Sequence, residues 1–280
     1  MNAAQRTNED QIAIWNGTAG HAWVETQDSL DRLFKPFEGE LVEAVAARRA
    51  QRVLDVGCGT GSTTLAIARR LGAHGTCLGL DLSEPMIALA RTRAERESTP
   101  PSFICGDAQT HAFAPASFDM IVSRFGVMFF ADPVHAFTNL QRAAKPGAAL
   151  ATIAWRSEAE NPFMTVAERA AAPFLPELPP RRPGEPGQFA FADPDRVRAI
   201  LESGGWSDVE VEPLDVACTL PESELDTYLT KLGPLGRVLG AVDERSRAIV
   251  VEKVRVAFQP FVHGAHVRFT AACWMIRARA

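Results

Sequence analysis

The chain has 280 residues, of which 46% are hydrophobic and 22% charged, and its formal net charge at pH 7 is -5. This composition is typical of a globular protein of about two domains, or of one α/β domain with insertions, and excludes a disordered chain, a collagen and a membrane-spanning protein. The acidic balance and the lack of a long Lys/Arg run argue against a nucleic-acid partner, because that affinity depends largely on basic charge.

The five cysteines and the first ten residues indicate the cellular compartment of the protein. Five cysteines are widely spaced and none forms a Cys-x-x-Cys pair, so neither a disulfide framework nor a zinc site is predicted, and we expect no metal. The first ten residues are polar, and no apolar run of about 18 residues follows. The sequence therefore predicts a cytoplasmic protein without a membrane span.

Residues 1–45 are predicted to form a helical lid. Apolar residues recur at steps of three and four over 28–48, and Pro36 and Gly39 interrupt them, which predicts two short helices. The aromatic segment from Trp15 to Trp23 precedes them and contains two glycines. It suits either a lid over a ligand or ordinary N-terminal packing.

Strands and helices then alternate. Predicted strands lie at 53–56, 76–80, 103–105, 118–123 and 148–155, and the helices between them at 64–71, 84–96 and 133–144. Strands separated by helices of this length form right-handed βαβ units with a parallel sheet covered on both faces. We assign this core to residues 46–156.

The rest of the chain is divided into an insertion at 157–205 and a part at 206–280 that completes the sheet. Six prolines fall within 173–187, which suits either a stiff surface connection or part of a lid. The further predicted elements are a helix at 193–203, a strand at 209–218, helices at 222–232 and 241–258, and a final strand at 267–276.

The segment with the clearest chemical meaning is Val53-Leu54-Asp55-Val56-Gly57-Cys58-Gly59-Thr60-Gly61. A strand ends in an acid and leads through three alternate glycines into a helix, one residue shorter than the dinucleotide pattern Gly-x-Gly-x-x-Gly. Glycines without a Cβ let backbone approach a ligand closely, and the following helix offers free N–H groups. This pattern predicts a ligand-binding turn at the carboxyl end of the first strand.

Two further acids follow the next two strands. Asp81 ends the second strand, where a carboxylate can accept hydrogen bonds from both vicinal hydroxyls of a ribose. Asp107, in Cys105-Gly106-Asp107-Ala108, follows the third strand, where a carboxylate can accept from an exocyclic adenine amine. The three strand ends are expected to line one crevice.

These motifs, together with Phe118-Asp119-Met120-Ile121-Val122-Ser123 and Lys145-Pro146-Gly147, resemble the class I S-adenosylmethionine-dependent methyltransferases. The similarity is strongest over residues 45–155 and is greatest to the small-molecule branch that includes ubiquinone and menaquinone biosynthesis enzymes. It implies S-adenosyl-L-methionine as cofactor and an α/β, Rossmann-like sheet of seven mostly parallel strands, the last one antiparallel, with helices on both faces.

The resemblance also implies roles for single residues. Backbone at Gly57 and Gly59 would face the methionine part, and Asp55 would support its amino group. Asp81 would bind the ribose, and Asp107 the adenine amine. The implied cofactor-binding residues are Asp55, Gly57, Gly59, Gly61, Asp81, Leu82, Asp107, Ala108, Ser123 and Arg124. Leu82 would lie on the adenine face, Ala108 would offer backbone to a ring nitrogen, and Ser123 and Arg124 would lie near the methionyl part and the acceptor.

The acceptor side carries weaker signals. Methyl transfer from a sulfonium needs alignment and exclusion of water, and a general base helps only with a poorly ionised acceptor. His111, four residues after Asp107, is the predicted catalytic base, with an ordinary loop histidine as the alternative; His21 and His135 are weaker candidates. The predicted substrate-binding residues are Trp15, His21, Trp23, Phe125, Met128 and Trp155. The apolar run 124–130 suits the floor of an acceptor pocket or plain core.

The sequence thus predicts an enzyme that moves a methyl group from S-adenosylmethionine to a small, ring-containing acceptor by in-line displacement, as a monomer or homodimer. The alternatives are a protein or RNA methyltransferase, a non-catalytic cofactor-binding protein and an NAD-dependent oxidoreductase. The glycine spacing argues against the last, because nicotinamide enzymes carry the longer pattern.

Overall fold

Eight strands form one sheet in the computed structural model, which describes residues 3–175, 184–240 and 242–280. They are β1 (Arg52–Val56), β2 (Thr76–Asp81), β3 (Ser102–Cys105), β4 (Phe118–Arg124), β5 (Ala144–Trp155), β6 (Ser207–Pro221), β7 (Val262–His263) and β8 (His266–Arg279). Their order is β3-β2-β1-β4-β5-β8-β6, and β7 pairs with β8 beside this path. Strands β1 to β5 are parallel, whereas β8 is antiparallel to β5 and to β6. The predicted fold class is confirmed.

Twelve α-helices lie in the described parts of the chain. They are α1 (Ala3–Asn16), α2 (Thr18–Glu25), α3 (Gln27–Leu33), α4 (Lys35–Arg48), α5 (Ser62–Leu71), α6 (Glu84–Ala94), α7 (Pro133–Ala143), α8 (Val166–Ala171), α9 (Pro194–Ser203), α10 (Leu225–Lys231), α11 (Gly233–Leu239) and α12 (Glu244–Phe258). None of these helices is long and apolar enough to cross a membrane.

The central strands are buried on both faces. Val53, Leu54 and Val56 of β1 are each at most 1% exposed, because helices cover the sheet on both sides. This is why apolar residues, interrupted only by Asp55, occupy both faces of Val53–Val56 rather than alternating with polar ones. The sheet core therefore fixes the strand ends, and the strand ends position the site.

The N-terminal helices differ in detail from the sequence expectation. The break between α3 and α4 falls at Phe34, and not at Pro36 or Gly39. Pro36 lies in the first turn of α4, where its missing N–H costs nothing, and Gly39 continues the helix. Two helices, α1 and α2, precede them and contain the aromatic segment.

The C-terminal helices form a second layer over the carboxyl ends of the strands. Helix α8 packs against α11 and α12, and α11 also contacts α2 from the other end of the chain. The predicted helix at 222–232 is shorter in the structure, because a 3₁₀ turn over Glu222–Glu224 comes before α10. Within the proline-rich segment, residues 176–183 lie outside the described residues, so its role as connection or lid stays a prediction.

Candidate active site

One cavity of about 730 Å³ lies at the carboxyl ends of the parallel strands. Its wall includes the residues after β1, β2, β3, β4 and β5, and it extends to the C-terminal helices α8, α10 and α11. Eight of the predicted cofactor-binding residues line it: Asp55, Gly57, Gly59, Asp81, Leu82, Asp107, Ala108 and Arg124. The structure therefore brings the three acids to one cavity.

The other two predicted residues, Gly61 and Ser123, do not line the cavity but pack behind the residues that do. A Cβ on Gly61 would lie 2.9 Å from Cζ of Phe103, so this glycine lets the turn pack on β3. Ser123 is fully buried, and its hydroxyl donates to the carbonyl of Val56 at 2.7 Å. It also accepts a hydrogen bond from the N–H of Gly126 at 3.2 Å. Both residues hold the strand ends together.

The glycine turn leaves bare backbone toward the cavity. Gly57 and Gly59 have φ values of 68° and 55°, a region in which side chains are strained. A Cβ on Gly59 would meet only Sδ of Met86, at 3.7 Å. Space next to Gly59 is therefore open, and a ligand can lie directly against the main chain.

Asp55 presents an unpaired buried oxygen. The residue is 1% exposed, and its Oδ2 accepts a hydrogen bond from the Thr64 hydroxyl at 2.6 Å. Its Oδ1 has no partner among the described residues. Burial raises the pKa of Asp55 to about 6, against the lowering effects of the Thr64 hydrogen bond and the Arg124 charge. Such an oxygen suits a ligand that brings a donor or a positive charge.

Asp81 joins the second strand to the turn. Its two oxygens accept hydrogen bonds from the N–H groups of Gly59 at 2.8 Å and of Ser83 at 2.9 Å. Burial raises the pKa of Asp81, and these backbone hydrogen bonds act in the opposite direction. Each carboxylate oxygen keeps a further lone pair, so Asp81 can also accept from ligand hydroxyls.

Asp107 is held by amides from two elements. It accepts hydrogen bonds from the side chain of Asn8 in α1, at 3.0 Å, and from the N–H of Gln109, at 2.9 Å. The Asn139 amide donates to the carbonyl of Ala108, which fixes the loop after β3. Helix α1 thus lies over this end of the cavity.

A second set of hydrogen bonds holds the C-terminal end of α1 against the residues that follow β2. The Ser83 hydroxyl donates to the carbonyl of Trp15 at 2.6 Å, and Asn16 pairs with the carbonyl of Leu82 and the N–H of Glu84. Trp15 lies edge-on to Trp23 and to Phe129, and both tryptophans line the cavity. His21, by contrast, is exposed and outside the lining, with Nδ1 at 2.9 Å from the carbonyl of Gly17.

Arg124 brings a positive charge to the cavity wall. Its guanidinium lies 5.8 Å from the ring centroid of Phe34 and donates one long hydrogen bond, 3.4 Å, to the carbonyl of that residue. Burial lowers the pKa of Arg124, while the nearby Asp31 and Glu38 act in the opposite direction. Since the bond to Phe34 is the one hydrogen bond that the Arg124 side chain donates among the described residues, its guanidinium has further donors for a ligand.

Aromatic residues form the wall beyond the turn. The rings of Phe125 and Trp155 are stacked with centroids 4.4 Å apart and an angle of 4° between their planes. Phe125 has a φ of 64°, uncommon for a bulky residue and a mark of local backbone strain. Met128 lines the same cavity. Of the predicted acceptor-side residues, five line this cavity: Trp15, Trp23, Phe125, Met128 and Trp155.

The structure places the predicted base elsewhere. The His111 ring lies edge-on to Phe113, with centroids 4.6 Å apart, and does not line the cavity. His135, on α7, is also outside it, and no histidine occurs in the lining formed by the described residues. The catalytic role of His111 stays a prediction.

Several lining residues were not found from the sequence. They include Gln11, Asp31, Phe34, Met86, Gln109, Phe163, Met164, Tyr228, Leu229 and Leu235. Those on α10 and α11 belong to apolar helix faces, a pattern that also describes ordinary core packing. Only the fold shows that these faces border a cavity.

The site fits a nucleoside sulfonium with an amino-acid tail. The carboxylate of Asp55 adds negative charge at the cavity wall, which favours an ammonium group, and the bare face of Gly59 leaves room for the ligand beside it. In the described residues, no group of three His, Cys, Asp or Glu side chains could hold a metal ion.

Comparison with known proteins gives the family. Residues 53–147 match the family model described as a methyltransferase domain. Demethylmenaquinone methyltransferase of Renibacterium salmoninarum is 31% identical over 183 residues, which are 62% of this chain and 74% of that protein. Nocamycin O-methyltransferase of Saccharothrix syringae is 28% identical over 200 residues, 68% of this chain and 71% of that protein.

The fold has solved counterparts. The YcgJ protein of Bacillus subtilis superposes with a TM-score of 0.55 at 17% identity, covering 86% of this chain and 97% of that chain. The predicted cofactor and enzyme class are confirmed. The chain belongs to the S-adenosylmethionine-dependent methyltransferases, and it transfers a methyl group from that cofactor to a small molecule.

Proposed function

We propose that the methyl acceptor is a small, largely apolar molecule that contains a ring. The observation that carries this proposal is the continuity of one cavity from the glycine turn to the stacked pair Phe125 and Trp155 and on to the C-terminal helices. Apolar pockets with few polar groups are typical of such ligands. The names of the two relatives, a demethylmenaquinone and a nocamycin methyltransferase, support the same class.

The proposed cofactor contacts follow the strand ends. Asp81 binds the ribose hydroxyls, Asp107 and the backbone of Ala108 bind the adenine, and Leu82 lies against its face. Asp55 supports the amino group, and Arg124 lies by the methionyl part. The proximity of these groups in one cavity supports the assignment. Gly61 and Ser123 act indirectly, by packing the turn against β3 and β1.

When bound, S-adenosylmethionine supplies a methyl group already activated on a sulfonium. The chain then has to hold the acceptor in line and exclude water. Phe125, Met128 and Trp155 supply the apolar surface for the first task, and α1 and α2 cover the cavity for the second. No histidine lines the described wall, so a poorly ionised acceptor would take its base from a lining carboxylate such as Glu158 or Glu168.

The remaining alternatives are weaker. A protein or RNA acceptor would need an open face, whereas this cavity is covered by α1 and by the C-terminal helices. We also propose a cytoplasmic location, supported by the five cysteines, all of which are unpaired. A monomer or homodimer stays a prediction.

Isothermal titration with S-adenosylhomocysteine, followed by incubation with radiolabelled S-adenosylmethionine and one-, two- and three-ring phenols, quinols and anilines, tests the proposal. We expect micromolar cofactor binding and label in at least one ring compound. Cofactor binding with label only in added protein or RNA would contradict the proposed acceptor class. Cofactor binding without any transfer across the panel would also contradict the proposed acceptor class.

A further inference from the structure

The chain has a single tyrosine, Tyr228, and its side chain lines the cavity from α10. The ring lies edge-on to Phe258, with centroids 6.4 Å apart and an angle of 67° between the planes. Phe258 is fully buried, so this contact anchors the ring in the wall. The hydroxyl makes no hydrogen bond to any other residue that the structure describes.

Most of the lining near Tyr228 in the sequence is apolar. Leu229 of α10, Leu235 of α11 and Leu232 between these helices line the same cavity, together with the charged Lys231 and Arg237. The nearby Lys231 is engaged with Glu25 in an ion pair. In a cavity wall a hydroxyl such as that of Tyr228 can bond to water, and a bound ligand with an oxygen can take the place of that water.

The protonation state of the phenol restricts what it can do. Burial raises the pKa of Tyr228 well above its ordinary value, and the nearby Cys218 adds to this effect. The hydroxyl therefore stays protonated at neutral pH. It can donate a hydrogen bond to a ligand oxygen, but it cannot serve as a base there.

We propose that Tyr228 is a specificity-determining residue of the acceptor site, whose hydroxyl donates a hydrogen bond to an oxygen of an aromatic acceptor. This inference rests on the proposed function and names its substrate class more closely, as an oxygenated aromatic. A hydroxyl that donates to the acceptor oxygen discriminates against the analogue that lacks this oxygen, because that analogue displaces water and leaves the donor without a partner.

The single tyrosine makes a direct measurement possible. Protein labelled with ¹³C at tyrosine Cζ has one resonance, which reports on Tyr228 alone. With S-adenosylhomocysteine at saturation, the protein is titrated with two matched pairs, phenol against toluene and 1-naphthol against 1-methylnaphthalene. We expect the hydroxylated member of at least one pair to shift the resonance and to bind about tenfold more tightly than its methyl partner.

The variant Tyr228→Phe removes only the hydroxyl and keeps the ring against Phe258. We expect its preference for the hydroxylated probe to fall to nearly one, with the affinity for S-adenosylhomocysteine unchanged. Thr227→Val is the matched control, since it removes an exposed hydroxyl from the adjacent position of α10, outside the cavity lining. This control should keep the wild-type preference.

The possible failures are distinguishable. Absence of S-adenosylhomocysteine binding to the wild type would count against the assigned cofactor site itself. Normal cofactor binding with an unmoved tyrosine resonance would overturn the inference about Tyr228, as would an unchanged probe preference in Tyr228→Phe. Failure of all four probes to bind the cofactor-loaded protein at millimolar concentration would overturn it as well.

Discussion

A Cβ atom on Gly57 would lie only 2.6 Å from Cα of Gly126, so the loops after β1 and β4 meet backbone to backbone. Gly57→Ala must open this contact and also place a side chain at a positive φ. We expect a loss of about 2–3 kcal/mol in the free energy of unfolding, measured by urea denaturation without cofactor. A variant as stable as the wild type would show that the two loops do not touch.

Gly59→Ala should weaken cofactor binding strongly and destabilise the fold only slightly. The added methyl group would meet only Met86, so the fold should lose about 1 kcal/mol for the positive φ. The same methyl group would occupy the open space where we place the cofactor, and we expect at least tenfold weaker binding of S-adenosylhomocysteine by calorimetry. Gly72→Ala is the control, because Gly72 has a φ of 57° with open space around it and lies outside the cavity lining. Equal affinities of the two variants would place the ligand elsewhere.

Asp81→Asn tests the ribose contact. The amide can accept only one of the two backbone hydrogen bonds from Gly59 and Ser83, and it loses the charge that strengthens bonds to ligand hydroxyls. Charge-assisted hydrogen bonds contribute about 1.5–3 kcal/mol, so the dissociation constant should rise roughly 10- to 100-fold. Glu84→Gln removes a nearby charge outside the cavity lining and should leave it unchanged. An unaltered constant in Asp81→Asn would remove this residue from the site.

Asp55 should make the cofactor-free protein less stable as the pH rises. Its pKa is raised from 3.8 to about 6 by burial, so between these values the folded state binds more protons than the unfolded state. The stability present below pH 3.8 is therefore lost as the pH passes through about 6. From pH 5 to pH 7.5 we expect this residue to cost about 1 kcal/mol.

The comparison with Asp55→Asn isolates this effect. The amide does not titrate, so urea unfolding of the variant should show a smaller loss of stability between the two pH values. Asp119→Asn serves as control, because the hydrogen bond with Lys145 and those from backbone lower the pKa of Asp119, and its contribution changes only at more acidic pH. Identical pH dependence in Asp55→Asn and the wild type would mean that Asp55 is not a buried, unpaired carboxyl.

Much of the fold was predictable because each central strand carries its own signal. The run Val53–Val56 before Gly57 is apolar except for Asp55, since β1 is buried on both faces. The start of β5 was missed, because Lys145-Pro146-Gly147 is typical of a chain reversal, whereas the strand already begins at Ala144. The pairing with β4 jumps from Phe118–Ala144 to Met120–Ala149, so Lys145-Pro146-Gly147 forms an irregularity in the ladder, and Gly147 has a φ of 76°.

The cofactor side of the site was predictable from the sequence to a greater extent than the acceptor side. The acids at the strand ends were found because topology alone brings successive parallel strand ends together. Helices α10 and α11 line the cavity although they lie more than a hundred residues after Asp107 in the sequence. Their apolar faces resemble those of helices that pack in a core. His111 follows Asp107 closely, but the turn that its N–H closes on the Asp107 carbonyl, at 2.8 Å, leaves the ring beside Phe113.

The most direct test of a cavity that holds the cofactor at the strand ends and the acceptor at the aromatic wall is a crystal structure of the protein with S-adenosylhomocysteine. We predict electron density for the ribose hydroxyls on the Asp81 carboxylate, with the sulfur facing the space bounded by Phe125, Trp155 and Tyr228. Density for the nucleoside away from Asp81, or a sulfur turned away from that aromatic wall, would contradict the account.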